Sequence, residues 1–285
     1  MIHSIARARR IAFQGEPGAY ANLAARQAVP HASAIPKPTF EDAIEAVRGG
    51  DCDLCIIPVE NSLIGRIADI HHLLPDSGLH IVGEHFLPIR HQLMGLPGAS
   101  LDGITDIYSQ SPALAQCRGL LRARKFTVHH WYDTAGAAKH VAEKKDSRAA
   151  AIASALAAEI YGLSILKADV EDEHHNATRF LVMAAADERA PDAGKVVTTL
   201  VFQVKNVPAA LYKALGAFAT NNVNITKLES YQLGGSFNAT QFYADIQGHP
   251  DAPNVAHALE ELAFQTARMT IMGVYPASPF REDMP

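Results

Sequence analysis

The periodicity of this chain changes once, near residues 184–195, and that change constrains the architecture more than any single motif. Upstream, strand-like apolar runs alternate with helix-like segments. "RIAFQG" leads into "GAYANLAARQAV", and "TFEDAIEAVRGG" leads into "DCDLCIIPVE". In the second unit Thr39 is an N-cap with Asp42 three residues on, and Gly49–Gly50 ends the helix. After "NSLIGRIADIHHLL" and a β-rich "LHIVGEHFLPIRHQLMG", two more strand–helix units follow, and the Ala-rich "SRAAAIASALAAEIYGL" precedes "SILKADVEDEHHNATRFLVM". This alternation predicts an α/β fold with ligand-binding loops at the carboxyl ends of strands. Downstream of "AAADERAPDAGK" the order is strand, helix, two strands, helix, strand. That is βαββαβ, a ferredoxin-like split sandwich, with a hairpin turn at Gly234–Gly235.

Composition narrows the class. A chain of 285 residues holds one large or two ordinary domains, and 48% hydrophobic with 19% charged residues fits a packed protein. A net charge of -5 leaves no basic footprint for nucleic acid. No apolar run approaches the roughly 20 residues of a membrane span. "MIHSIARARR" is basic with no apolar run behind it, so a short disordered leader is expected, not a signal peptide. Three cysteines cannot pair completely, and a cytoplasmic setting follows. Cys52 and Cys55 form a CxxC, but on a buried strand they face opposite sides, so both are read as structural.

Four polar stretches sit where strands end or begin. "GEPGAYANLAA" could present backbone N–H groups to an anion or be a plain strand–helix turn; it is neither GxGxxG nor GKS/T, so no nucleotide cofactor is implied. "IPVENSLIG" offers Glu60, Asn61 and Ser62 at a strand end, as ligand contacts or as helix caps. "YSQSPALAQC" offers Ser109, Gln110 and Ser111 before Pro112, with Gln116 farther along; by itself it is an ordinary helix start. "VEDEHHNATRF" is the densest. His174 and His175 are adjacent and diverge on regular structure, and no HExxH or HxH accompanies them, so no metal is expected. Solvated loop charge accounts for Glu171, Asp172 and Glu173. Asn176, Thr178, Arg179 and Phe180 stand where the loop enters an apolar strand.

Together these stretches resemble the prephenate dehydratase family. Its glycine-rich opening looks like Gly15–Tyr20, its PVENS signature is intact at Pro58–Ser62 and followed by Gly65, and its NxTRF is intact at Asn176–Phe180. Its serine–histidine–proline–glutamine segment ending in QC corresponds to Ser109–Cys117, with Gln110 for the histidine and Ser111–Pro112 for proline–glutamine. The last third resembles an ACT domain, an amino-acid-sensing module. The resemblance runs from about Arg10 to about Pro276.

It implies a two-lobed, periplasmic-binding-protein-like α/β catalytic region over residues 9–185, with a second lobe near 83–167 and crossings near 80–90 and 165–170, and an ACT domain over 196–278. It also implies conversion of prephenate to phenylpyruvate without a cofactor. Thr178 would be the proton donor to the leaving hydroxyl, and Arg179 a clamp on the pyruvyl carboxylate or a polariser of Thr178. Asn61, Ser62, Ser109, Gln116 and Asn176 would orient the ring, with Glu60 and Phe180 in the same site. L-Phenylalanine would bind at an interface between two ACT domains, in an effector site of Ala209, Ala210, Leu211, Asn224, Glu229 and Ser230. There Ala209 replaces a family glycine, and Tyr231–Gln232 replaces an arginine–proline pair. ACT pairing would give a homodimer or homotetramer. Arogenate dehydratase and a non-catalytic amino-acid-binding regulator are the rival readings.

Overall fold

The computed structural model describes residues 2–232 and 239–282. The chain opens with α1 (His3–Arg7), β1 (Arg10–Gln14), α2 (Tyr20–Ala28), β2 (Ser33–Lys37), α3 (Phe40–Arg48), β3 (Leu54–Asn61), β4 (Gly65–Arg66), α4 (Ala68–Leu73) and β5 (His80–Pro88). It crosses into β6 (Gln92–Gly95), β7 (Asp106–Ser109), α5 (Ser111–Ala115), α6 (Arg118–Ala123), β8 (Thr127–His130), α7 (Thr134–Lys144), β9 (Ala149–Ala153), α8 (Ala155–Tyr161) and β10 (Ser164–Lys167). It returns through β11 (Ala177–Ala184) and continues as β12 (Val196–Val204), α9 (Ala210–Thr220), β13 (Ile225–Gln232), β14 (Ala239–Gln247), α10 (Pro253–Gln265) and β15 (Thr266–Pro276).

Two sheets result. The smaller, ordered β10-β6-β9-β7-β8, makes a lobe of its own. The larger is ordered β13-β14-β12-β15-β5-β11-β3-β1-β2, with β4 on β3. β11 is buried along its whole length because it returns antiparallel between β5 and β3. The same pairing corrects one expectation: β5 stays in the larger sheet, so the second lobe starts at Gln92 and not near 83. Where α3 begins, Thr39 Oγ1 accepts from the Asp42 amide at 3.0 Å and the Asp42 carboxylate accepts from the Thr39 amide at 3.2 Å.

The C-terminal unit has strand order β13-β14-β12-β15, the ferredoxin-like arrangement. One face packs α9 and α10 over Phe202, Phe218, Phe242 and Leu262. The other presents Tyr231, Tyr243, Met272 and Tyr275 to the core of the first lobe. β15 pairs in parallel with β5 at Gly273 and Ile81. A Cβ on Gly273 would stand 2.1 Å from the Ile81 carbonyl oxygen, so this splice admits only glycine.

The expected leader is not a loose one. Residues His3–Arg7 form a helical turn, Ile2 and Ala8 are buried, and the Ser4 amide donates to Glu188 at 2.9 Å. An apolar residue on each side of the basic run supplies what charge counting misses. Cys52, Cys55 and Cys117 are buried free thiols; burial raises all three, Cys117 to about 12. The hairpin turn at Gly234–Gly235 lies outside the described residues. Among the described residues no helix is long and apolar enough to cross a membrane.

Candidate active site

A cavity of about 510 Å³ opens between the lobes, within the range of small-molecule sites. Its floor is the β3–β11 strand pair, whose register sets Thr178 opposite Asn61 and Arg179 opposite Glu60. Strand alternation turns Thr178 and Phe180 into the cavity and Arg179 to the reverse face.

Neutral groups are linked across both lobes. Asn61 Nδ2 donates to Thr178 Oγ1 at 3.0 Å and to Asn176 Oδ1 at 2.7 Å. Asn176 Nδ2 donates to Gln116 Oε1 at 2.8 Å, and that oxygen also lies 2.8 Å from His91 Nε2. His91 Nδ1 lies 2.7 Å from the Tyr20 hydroxyl. Burial lowers the His91 pKa, with the Gln116 hydrogen bond and Glu171 opposing, so the ring is neutral at neutral pH. A neutral ring that donates from Nε2 to Gln116 must accept at Nδ1. Burial also raises Tyr20 well above its ordinary value. Thr178 Oγ1, already accepting from Asn61, keeps its own proton to donate. Gln116, with its oxygen engaged twice, has its amide nitrogen to offer a ligand.

The glycine-rich turn brings α2 to this cavity. Gly15, Ala19, Tyr20 and Ala21 line it, and no side chain caps α2. Its first amides are therefore available to a carboxylate. The turn is held to the second lobe by Ser154 Oγ donating to the Gly18 carbonyl at 2.6 Å and Tyr161 to Pro17 at 2.8 Å. Gly18 has φ +93, and a Cβ there would stand 2.8 Å from Ala157 Cα. Both facts require glycine. Among the described residues lining the cavity, Arg66 is the one lysine or arginine, and its guanidinium donates to the Ser230 carbonyl at 3.2 Å.

Of the residues expected from sequence, the structure brings Asn61, Gln116, Thr178 and Phe180 to the cavity. Asn176, 1% exposed, stands behind them and fixes Asn61 and Gln116. Four others do something else. Arg179, expected to clamp substrate, is 2% exposed on the reverse face, donating to Glu84 at 2.8 Å, Glu60 at 2.9 Å, the Tyr275 hydroxyl at 2.9 Å, and Asp245. Glu60 is its partner there and also accepts from Lys227 at 2.6 Å. Ser109 is fully buried and donates to the Ile152 carbonyl at 2.6 Å, joining β7 to β9. Ser62 Oγ donates to the His175 carbonyl at 3.0 Å and accepts from the Ala177 amide at 2.9 Å, bracing the loop into β11.

Two acids assigned to solvent are structural. Glu171 is buried and receives Arg90 at 3.0 Å and the His91 amide at 2.8 Å. Asp172 accepts from the Arg118 and Gly119 amides at 2.8 Å each, where α6 begins. His174 and His175 are exposed.

Two of the expected effector residues, Ala209 and Asn224, do not meet within one chain. Ala209 to Leu211 begin α9, whereas Asn224 follows its far end, about 16 Å away at the usual helical rise. Asn224 donates to Gln247 at 3.1 Å, and Glu229 accepts from Lys227 at 3.2 Å.

Sequence reasoning missed His91, Tyr20, Tyr132 and Asp133. Asp133 lines the cavity while accepting from the Gly136 amide as the cap of α7, and burial raises its carboxyl. His91 gave little signal, being one of three histidines in the β-rich "LHIVGEHFLPIRHQLMG" and flanked by Arg90 and Gln92.

Comparison with known proteins fits this geometry. Residues 11–188 match the family described as Prephenate dehydratase. A bifunctional N-acyl-homoserine lactone acylase/prephenate dehydratase of Komagataeibacter europaeus is 51% identical over 274 residues, covering 96% of this chain and 98% of that protein. Arogenate dehydratase 5 of Arabidopsis thaliana is 38% identical, over 94% of this chain and 67% of its own length. The crystal structure of a prephenate dehydratase from Arthrobacter aurescens, in complex with L-Phe, superposes with a TM-score of 0.86 at 28% identity, covering 97% of this chain and 92% of that one. The motif pairs that meet on the cavity floor fall inside the matched region, and the chain belongs to the prephenate dehydratase family.

Proposed function

We propose that this protein converts prephenate to phenylpyruvate, the reading that the Asn61–Thr178 pair on the cavity floor supports best. The bond from the ring to its carboxylate breaks and its electron pair aromatises the ring as the carbon–oxygen bond opposite breaks. Carbon dioxide leaves, and the departing hydroxide takes the Thr178 proton to become water. Asn61 Nδ2, 3.0 Å from Thr178 Oγ1, stabilises the oxygen left behind until solvent reprotonates it. General acid help of this kind is worth roughly 10²–10⁴-fold. Gln116 and the open amides of α2 orient the substrate carboxylates, and the cytoplasm is the setting.

The C-terminal unit is read as an ACT domain that senses L-phenylalanine, and residues 9–185 as the catalytic region. Because Ala209 and Asn224 lie at opposite ends of α9, the effector site needs α9 of one copy and β13 of another, in a homodimer or homotetramer. The L-Phe complex of the Arthrobacter relative supports this regulation.

A second activity, acyl-homoserine lactone hydrolysis, has one observation in its favour. Ser111 Oγ lies 2.9 Å from His130 Nδ1, a nucleophile–base spacing, and Ser111 lines a groove adjoining the cleft. Purified protein given prephenate, arogenate or an N-acyl-homoserine lactone separates these readings by product. Phenylpyruvate from prephenate is expected; its absence rejects the main reading. Release of homoserine lactone by amide cleavage that survives Ser111→Ala rejects the serine–histidine assignment.

A further inference from the structure

The strand pair that carries Asn61 and Thr178 holds a second cross-strand pair on its reverse face. Thr178 stands opposite Asn61 and Arg179 opposite Glu60, so the hydrogen bond facing the cavity, 3.0 Å, is backed by an ion pair of 2.9 Å. Adjacent strand residues share a backbone. A shift of one pair therefore moves the other.

The reverse-face pair is gripped by the C-terminal unit. Arg179 reaches Asp245 of β14 and the Tyr275 hydroxyl of β15, while Glu60 receives Lys227 of β13 at 2.6 Å. Asp245 and Tyr275 are both tied to Thr199 of β12, at 2.6 and 2.7 Å. Lys227 also lies 3.2 Å from Glu229. Contacts thus run without a gap from Glu229 through Lys227 and Glu60 to Arg179. Cohesion of the two units does not require them, since the β15–β5 splice and a shared apolar core already join the units. Buried ion pairs add little net stability over apolar replacements, and in some proteins they specify geometry instead.

We propose that Lys227, Glu60 and Arg179 are positioning residues through which the C-terminal unit sets the Asn61–Thr178 hydrogen bond, and that a small-molecule ligand engaging Glu229 reaches the proton donor by the same contacts. The kinetic part rests on the dehydratase reading above. In the full-length protein, Lys227→Met should lower kcat by about tenfold with KM little changed, the pattern of a lost transition-state interaction. The L-phenylalanine midpoint should move by about fivefold or more, within ordinary allosteric coupling. Amide hydrogen exchange should quicken in segments 58–62 and 176–180 and stay as it was in 92–167. Lys227→Arg should restore all three. Glu60→Gln, which keeps shape and loses charge, should reproduce the defect if Lys227→Met folds poorly. Wild-type kcat and wild-type exchange in either folded variant would overturn the proposal. No phenylpyruvate from the wild type would instead reject the dehydratase reading, and the exchange data would still decide whether the C-terminal unit holds the strand pair.

Discussion

Thr178→Val tests the chemistry with the least structural disturbance. Valine keeps the branched shape and suits a strand, and only the hydroxyl is lost. The residue is 8% exposed, so no other solvent-borne donor replaces it freely. Asn61 Nδ2 keeps its 2.7 Å bond to Asn176 Oδ1, and Asn61 Oδ1 keeps the Leu63 and Ile64 amides at 3.0 and 3.1 Å. The stability cost is therefore that of one hydrogen bond, about 1 kcal/mol. The reaction loses its general acid, so kcat should fall by about 10²–10⁴, or about 3–5 kcal/mol of barrier. Phenylpyruvate formation under saturating prephenate, beside a thermal melt, measures both. Thr178→Ser should recover most of the rate. Turnover within about threefold of wild type in a folded valine variant would refute a proton donated by Thr178.

Three further outcomes follow from the same contacts. Burial lowers His91, so the ring stays neutral and kcat should be flat from pH 8 to about 6.5 and fall only below that; a limb centred higher would contradict this. Burial alone would raise Glu60 and Asp245, but Arg179, with Lys227 at Glu60 and Thr199 at Asp245, holds both below their ordinary values. Such carboxylates stabilise the fold above their unfolded values near 4 and cease to do so as pH falls through the depressed folded ones. The melting temperature should therefore drop steeply below about pH 4, and less steeply in Glu60→Gln; equal slopes would remove Glu60 from the linkage. Finally, Ala209 sits in the left-handed region at φ 62, costing about 1–2 kcal/mol for a residue with a Cβ, against the chain entropy of about 0.5–1 kcal/mol that glycine loses. Ala209→Gly should stabilise by up to about 1 kcal/mol in a urea titration, and a loss of stability would show that the strain is compensated locally.

The paired motifs were legible because each lies at a strand end; that Asn61 faces Thr178 is set by the β3–β11 register, which the sequence does not state. The side taken by Arg179 was open to the same logic. Adjacent residues diverge on regular structure, the argument that rejects His174 with His175 as a ligand pair, and it equally forbids Thr178 and Arg179 from sharing one cavity. What sequence alone could not supply was an acceptor for that arginine. Glu84, Asp245 and Tyr275 lie 95, 66 and 96 residues away; Glu84 meets Arg179 because β5 flanks β11, and Asp245 and Tyr275 meet it because β15 extends the first lobe's sheet. Ser109 was misread for a similar reason. Its position at the end of β7 is evident, but the carbonyl of Ile152 that takes its proton belongs to a strand more than forty residues on.

The placement of charge now bears on the reaction itself. A guanidinium against the departing carboxylate would stabilise the ground state and slow its loss as neutral carbon dioxide. Sequence reading met that condition by allowing one arginine in the site. The structure meets it more fully: Arg179 is directed to the reverse face and neutralised there by Glu60, Glu84 and Asp245. Arg66, the remaining cation on the lining, is already bonded to the Ser230 carbonyl. Of the polar groups on the lining, Thr178, Asn61, Gln116 and a neutral His91 carry no charge, and burial raises the Asp133 carboxyl. Hydrogen-bond donors of this kind can follow charge as it moves from carboxylate to leaving oxygen, because none of them favours the starting carboxylate as a fixed cation would. On the proposed mechanism, holding the arginine out of the cleft would serve the rate twice, by keeping the carboxylate labile and by locking the strand that presents the proton.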